Sequence, residues 1–100
     1  MNIKTYTPAL CIKAACKAYR IEEADITRKT RALDVVDPRD LAILLIKKRF
    51  PATTNREISE LVGLTTSAVT YSLKRSREKL GGKCNHSRRF TSKYEKSLTL

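Results

Sequence analysis

Apolar positions along this chain recur at three- and four-residue intervals, and that spacing predicts helices rather than strands. Over residues 8–20, Cys11, Ala15, Ala18 and Tyr19 form one stripe, with Lys13, Lys17 and Arg20 outside it. Pro8 suits the first turn of this helix, where a missing N–H costs nothing. Residues 21–26 read as a connector whose acids, Glu22, Glu23 and Asp25, lead into Ile26 and can form one helical turn. Residues 27–31 carry Arg28, Lys29 and Arg31 and no apolar side chain, so a loop or arm is expected there. Asp37 followed by Pro38 is a helix-start signal. The helix expected over residues 38–50 has Leu41, Ala42, Leu44, Leu45 and Ile46 as a wide apolar band, which marks it as the central core helix. Arg39, Lys47, Lys48 and Arg49 crowd its ends, and Pro51 stops it.

The next stretch reads as a helix-turn-helix. Ile58, Leu61 and Val62 fall on one face of a first helix. Gly63 stands where that helix must stop and the chain must turn, a place where positive φ is easy only for glycine. Leu64 plugs the corner, and Thr65 and Thr66 offer hydroxyls that can cap a second helix. Val69, Leu73 and Leu80 mark the buried stripe of that helix. Its other face carries Ser67, Thr70, Tyr71 and Lys74, a short, hydrogen-bonding and cationic set suited to the floor of a DNA major groove. An ordinary pair of packed helices with a solvated outer face would show the same local pattern, so the rest of the chain has to separate the two. Gly81 and Gly82 release the chain from the second helix. Phe90, Tyr94 and Leu98, four apart, predict either a last amphipathic helix docked on the core or a disordered cationic tail. The expected fold is all-α: a small bundle of five or six helices, with a DNA-binding domain over residues 1–82 and a basic tail over 83–100.

Charge shifts the balance. The chain has 100 residues, 21 Lys plus Arg against 10 Asp plus Glu, and a net charge of +11. One domain with a small core is all that length supports. Self-repulsion on this scale only destabilises a compact chain, and a polyanionic partner relieves it. A membrane surface fits poorly, because the basic residues are scattered and no helix pairs a bulky apolar face with a cationic rim. No stretch is long enough to span a bilayer, and the polar N-terminus shows no signal peptide, so a cytoplasmic protein is expected. Cys11, Cys16 and Cys84 are an odd number without a Cys-x-x-Cys pair, which suits free thiols in a reducing compartment, with Cys11 a small core residue. Joining Cys84 and His86 to Cys11 and Cys16 as a zinc site matches no common ligand spacing. No cofactor is expected. With one histidine and no set of nucleophile, base and orienting group, neither catalysis nor a small-molecule substrate is expected.

Four stretches together resemble a known family. They are Tyr19-Arg20-Ile21 followed by Asp25-Ile26; the basic loop Arg28-Lys29-Thr30-Arg31; Val35-Val36-Asp37-Pro38-Arg39 with Leu41-Ala42; and Glu57-Ile58-Ser59 with Gly63 and Val69. In this order and spacing they are similar to the C-terminal DNA-binding domain of the bacterial replication initiator DnaA, from about residue 8 to residue 80, or to 98 with a last helix. The resemblance implies duplex DNA as partner, monomeric binding and a role in replication or transcription. It implies that Arg31, with Arg28 and Lys29 in the same loop, enters the minor groove, and that Arg39 meets DNA backbone or a neighbouring base. It implies that Thr54, Asn55 and Arg56 present helix-start N–H groups to a phosphate. It places Thr65, Thr66, Ser67, Thr70, Tyr71 and Lys74 in the major groove. The family's Asp-His-Thr-Thr signature is replaced here by Thr65-Thr66-Ser67-Ala68, which should change or relax the target, since each good base contact is worth about 1–3 kcal/mol. The initiator's nucleotide-binding loop is absent.

Residues 54–80 also resemble the helix-turn-helix of LuxR-type regulators and of sigma-factor promoter-reading domains, which likewise bind duplex DNA. Two other classes remain open on the residues alone. An RNA-binding basic protein would need exposed aromatics for stacking, and Tyr71 is the exception among rings that otherwise look buried. A protein-interaction module that has lost DNA binding would show a weak salt dependence.

Overall fold

The computed structural model of the protein describes residues 8–27, 33–81 and 87–98. They form α1 (Pro8–Tyr19), a 3-10 turn (Glu23–Thr27), α2 (Leu33–Arg49), α3 (Asn55–Val62), α4 (Thr66–Leu80) and α5 (Ser87–Leu98). No strand is present among the described residues, so the all-α expectation holds.

The apolar band of α2 makes it the hub. The helix lies against α1, α3, α4, α5 and the 3-10 turn. Leu41, Ala42, Ile43, Leu45 and Ile46 are all 0% exposed, as expected of a helix apolar round most of its circumference. Cys11, Ile12, Ala15 and Cys16 of α1, Ile26 of the 3-10 turn, Ile58 and Val62 of α3, Val69 and Leu73 of α4 and Phe90 of α5 complete one core.

The start of α2 differs from expectation. The helix begins at Leu33, so Asp37 does not cap it and Pro38 lies inside it, fully buried. An interior proline removes one backbone hydrogen bond and crowds the preceding turn. Tertiary contacts offset that loss: Val35 is buried, and Asp37 is ion-paired with Lys79 of α4.

At the other end of α1 the chain closes without glycine. Arg20 takes φ 57°, and the Ile21 N–H donates to the Cys16 carbonyl at 3.0 Å. Lys93 of α5 donates to the Ala18 carbonyl at 2.6 Å. The Lys93 ammonium and the Arg89 guanidinium lie 5.1 and 5.5 Å from the Tyr19 ring centroid. Cations are stabilised at a helix C-terminus, where orphan carbonyls collect. This accounts for part of the basic character of α5. Of the two readings of the C-terminal segment, the docked helix is the one observed, with the Phe90 ring 0% exposed.

Gly63 ends α3 as expected, at φ 70° and ψ 29°, and both its N–H and that of Leu64 donate to the Ser59 carbonyl. Gly63→Ala is expected to lower the unfolding free energy by about 1–2 kcal/mol, the left-handed penalty for a residue with a Cβ. A urea titration measures it. An unchanged midpoint would show that the turn tolerates another conformation.

Candidate nucleic-acid interface

Local hydrogen bonds set the helix-turn-helix. Thr54 precedes α3, and its Oγ1 accepts from the Glu57 N–H at 3.1 Å while the Glu57 carboxylate accepts from the Thr54 N–H at 3.5 Å. This capping box satisfies the Thr54 and Glu57 donors. The N–H groups of Asn55 and Arg56 have no acceptor within the helix, as at any helix start. Thr65 caps α4, its Oγ1 accepting from the Ala68 N–H at 3.1 Å, and Thr66 becomes the first helical residue.

Helical spacing then sorts α4 into two faces. Val69, Ser72, Leu73, Ser76 and Lys79 point inward. Thr65, Thr66, Ser67, Thr70, Tyr71 and Lys74 are all exposed and share the outer face, with Tyr71 62% exposed. The Thr70 hydroxyl is already committed. It donates to the Thr66 carbonyl at 3.2 Å and accepts from Asn55 Nδ2 at 3.1 Å, which ties the start of α3 to α4. Arg56 pairs loosely with Glu60 at 3.8 Å, both side chains well exposed; a one-turn surface pair of this kind contributes little and leaves the guanidinium available.

The inner face holds a buried polar network that the sequence did not announce. Asp40 of α2 is 0% exposed. Its Oδ2 accepts from Arg75 Nε at 2.7 Å and from Lys79 Nζ at 2.8 Å. Its Oδ1 accepts from Arg75 Nη2 at 2.7 Å and from Ser72 Oγ at 2.6 Å. Lys79 also donates to Asp37, and Ser76 Oγ donates to the Asp40 carbonyl. The hydrogen bonds to Asp40 push the Arg75 pKa up from its ordinary value. The only local signal for this network was that Asp37 and Asp40, like Ser72, Ser76 and Lys79, sit at helical spacing on the apolar side of their own helices.

The other expected contacts fare differently. Arg39 is 6% exposed, and its Nε donates to the Ile26 carbonyl at 2.8 Å. Because α2 starts at Leu33, position 39 is no longer a helix N-terminus, and the side chain turns into the fold; burial lowers its pKa. It does not stand on the outer face of α4. Arg28, Lys29 and Arg31 lie outside the described residues, as do Cys84 and His86.

Among the described residues no group of His, Cys, Asp and Glu could hold a metal ion. Cys11 and Cys16 are buried thiols, and burial pushes the Cys16 pKa up to about 11, which favours an unreactive protonated group. No helix of the described residues is long and apolar enough to cross a membrane. Of the aromatic residues Tyr19, Phe50, Tyr71, Phe90 and Tyr94, Tyr71 alone is exposed.

Residues 36–75 match the model of a winged helix-turn-helix DNA-binding family. The matched stretch runs from α2 to Arg75 and so contains the turn, the outer face of α4, Asp37 and Asp40. It ends inside α4, and among the described residues no strand is present to form a wing. No curated protein and no solved structure matches the chain. The match supports a helix-turn-helix DNA-binding domain and does not tie the chain to the replication initiator.

Proposed function

We propose that this helix-turn-helix binds double-stranded DNA sequence-specifically, with α4 in the major groove, and regulates transcription or replication where it binds. One observation carries the reading. The outer face of α4 presents Thr66, Ser67, Tyr71 and Lys74 together, and among the described residues none of these side chains is committed to a hydrogen bond. Hydroxyls can donate to or accept from base edges, and Lys74 can reach guanine or a phosphate. The free N–H groups at the start of α3 and the Arg56 guanidinium suit the adjacent phosphates. A net charge of +11 supplies the sequence-independent attraction. Tyr71 as the exposed ring among those described gives little stacking surface for single-stranded RNA.

The finer form of the proposal takes the docking mode of the initiator domain without its target preference. Arg28, Lys29 and Arg31 then occupy the minor groove beside the site, where narrow A·T-rich DNA concentrates negative potential. Arg39 is left out of this set, since it is buried.

Selection of bound duplexes from a random pool, followed by titration at several salt concentrations, tests the reading. Thr66→Ala and Ser67→Ala are expected to change the bases selected in the major groove, each by about 1–3 kcal/mol. Arg31→Ala is expected to weaken binding and flatten an A·T preference at one flank. A near-zero dependence of log K on log salt, or stronger binding to single-stranded RNA than to duplex, would refute DNA as the partner. Identical selected sequences for the native protein and the α4 variants would refute the major-groove docking.

A further inference from the structure

Tyr71 combines two properties that rarely coincide. The residue is 62% exposed, yet its ring has a partner within the protein. The Arg75 guanidinium lies 5.2 Å from the ring centroid, one turn along α4. Arg75 is itself fixed, because both Nε and Nη2 bond the Asp40 carboxylate at 2.7 Å. A planar fork bound at two points keeps one orientation, which a lysine ammonium in its place would not. Asp40 is immobilised in turn by Ser72 and Lys79 and by its position inside α2. An unbroken line of contacts therefore runs from the centre of the core to an aromatic ring on the outer face.

A ring fixed before binding loses little freedom when it binds, so its contact energy is not spent on ordering. One of its faces is covered by the guanidinium. The opposite face offers apolar carbon to a partner, with the phenol O–H confined to the tip of the ring. The apolar group that a base edge presents in the major groove is the thymine C5-methyl. We propose that Asp40, through Arg75, positions Tyr71 to pack against a thymine methyl group, making Tyr71 a specificity-determining side chain and Asp40 and Arg75 its positioning residues. This rests on the DNA-binding reading above.

Two measurements test the two halves separately. The first needs no DNA. In the native protein the Tyr71 Hα–Hβ couplings are expected to report a single χ1 rotamer, and in Arg75→Lys, which keeps the charge and a partner for Asp40, they are expected to average. Averaged couplings in the native protein, or a single rotamer in both, would overturn the positioning. The second uses the selected duplex with deoxyuridine replacing each thymine in turn, which removes only the methyl. One replacement is expected to weaken native binding about 4-fold, the effect of one buried methyl-sized group. It should leave Tyr71→Ala binding unchanged and weaken Arg75→Lys binding less than native, with the salt dependence of Arg75→Lys equal to native. Equal losses in native and Tyr71→Ala, or no loss at any position, would overturn the thymine contact. Absence of any duplex binding removes that contact along with its parent reading, while the couplings decide the positioning on their own.

Discussion

Asp40→Ala is expected to lower the unfolding free energy by about 3–5 kcal/mol, the cost of removing one partner from a buried ion pair. The cost comes from the groups left behind. Asp40 is 0% exposed and accepts four hydrogen bonds on its two carboxylate oxygens. Without it, the Lys79 ammonium keeps Asp37, but the Arg75 guanidinium loses both of its bonds and Ser72 loses its acceptor. Lys79 is 5% exposed and cannot swing into water without opening the contact between α2 and α4. In a domain of this size each kcal/mol lowers Tm by about 4–8 °C, so a fall of more than about 12 °C is expected. Urea and thermal denaturation measure both quantities. A loss below about 1 kcal/mol would mean that the network behaves as a solvated surface pair and gives α4 no fixed seat. Because total stability of small domains is about 5–15 kcal/mol, the variant is expected to sit near the limit of folding.

Phe90→Ala is expected to cost about 3–5 kcal/mol, the range for emptying a buried aromatic site. Phe90 is the largest fully buried side chain of the described residues, and it comes from the last helix, which touches α1, α2 and α4. Its ring also receives the Lys79 ammonium, 5.0 Å from the centroid, so the substitution loosens the polar network from a second side. Phe90→Leu, which keeps most of the volume, is expected to lose less than about 1.5 kcal/mol. Equal midpoints for native and Phe90→Ala in urea would show α5 to be an appendage rather than part of the core. A large loss from Phe90→Ala would make residues 87–98 inseparable from the domain that carries α4.

Much of this was legible in the residues themselves. The helix-turn-helix is encoded by neighbours: Thr54 and Glu57 close their capping box across three residues, Gly63 turns the chain by its own backbone freedom, and Thr65 caps α4 through Ala68. The outer face of α4 follows from 3.6-residue periodicity once Val69 and Leu73 are known to be buried. The start of α2 was misread because the Asp37-Pro38 signal is local, whereas the contacts that extend the helix past it come from α4. Arg39 was misplaced by the same error. Its outward orientation depended on a helix terminus that is not there.

The residues alone determined that the chain is helical, where it turns, and which face of α4 meets solvent, since each of these is decided within three or four positions by backbone geometry and side-chain period. Only the folded arrangement decided that Asp37, Asp40 and Lys79 are buried partners, that Arg75 looks inward as well as outward, and that Phe90 belongs to the core. The polar pairings among them join residues 35 to 42 positions apart. A charge on a helix reads as solvated until the opposite charge is brought to it, and nothing in the local pattern says which distant helix will bring it.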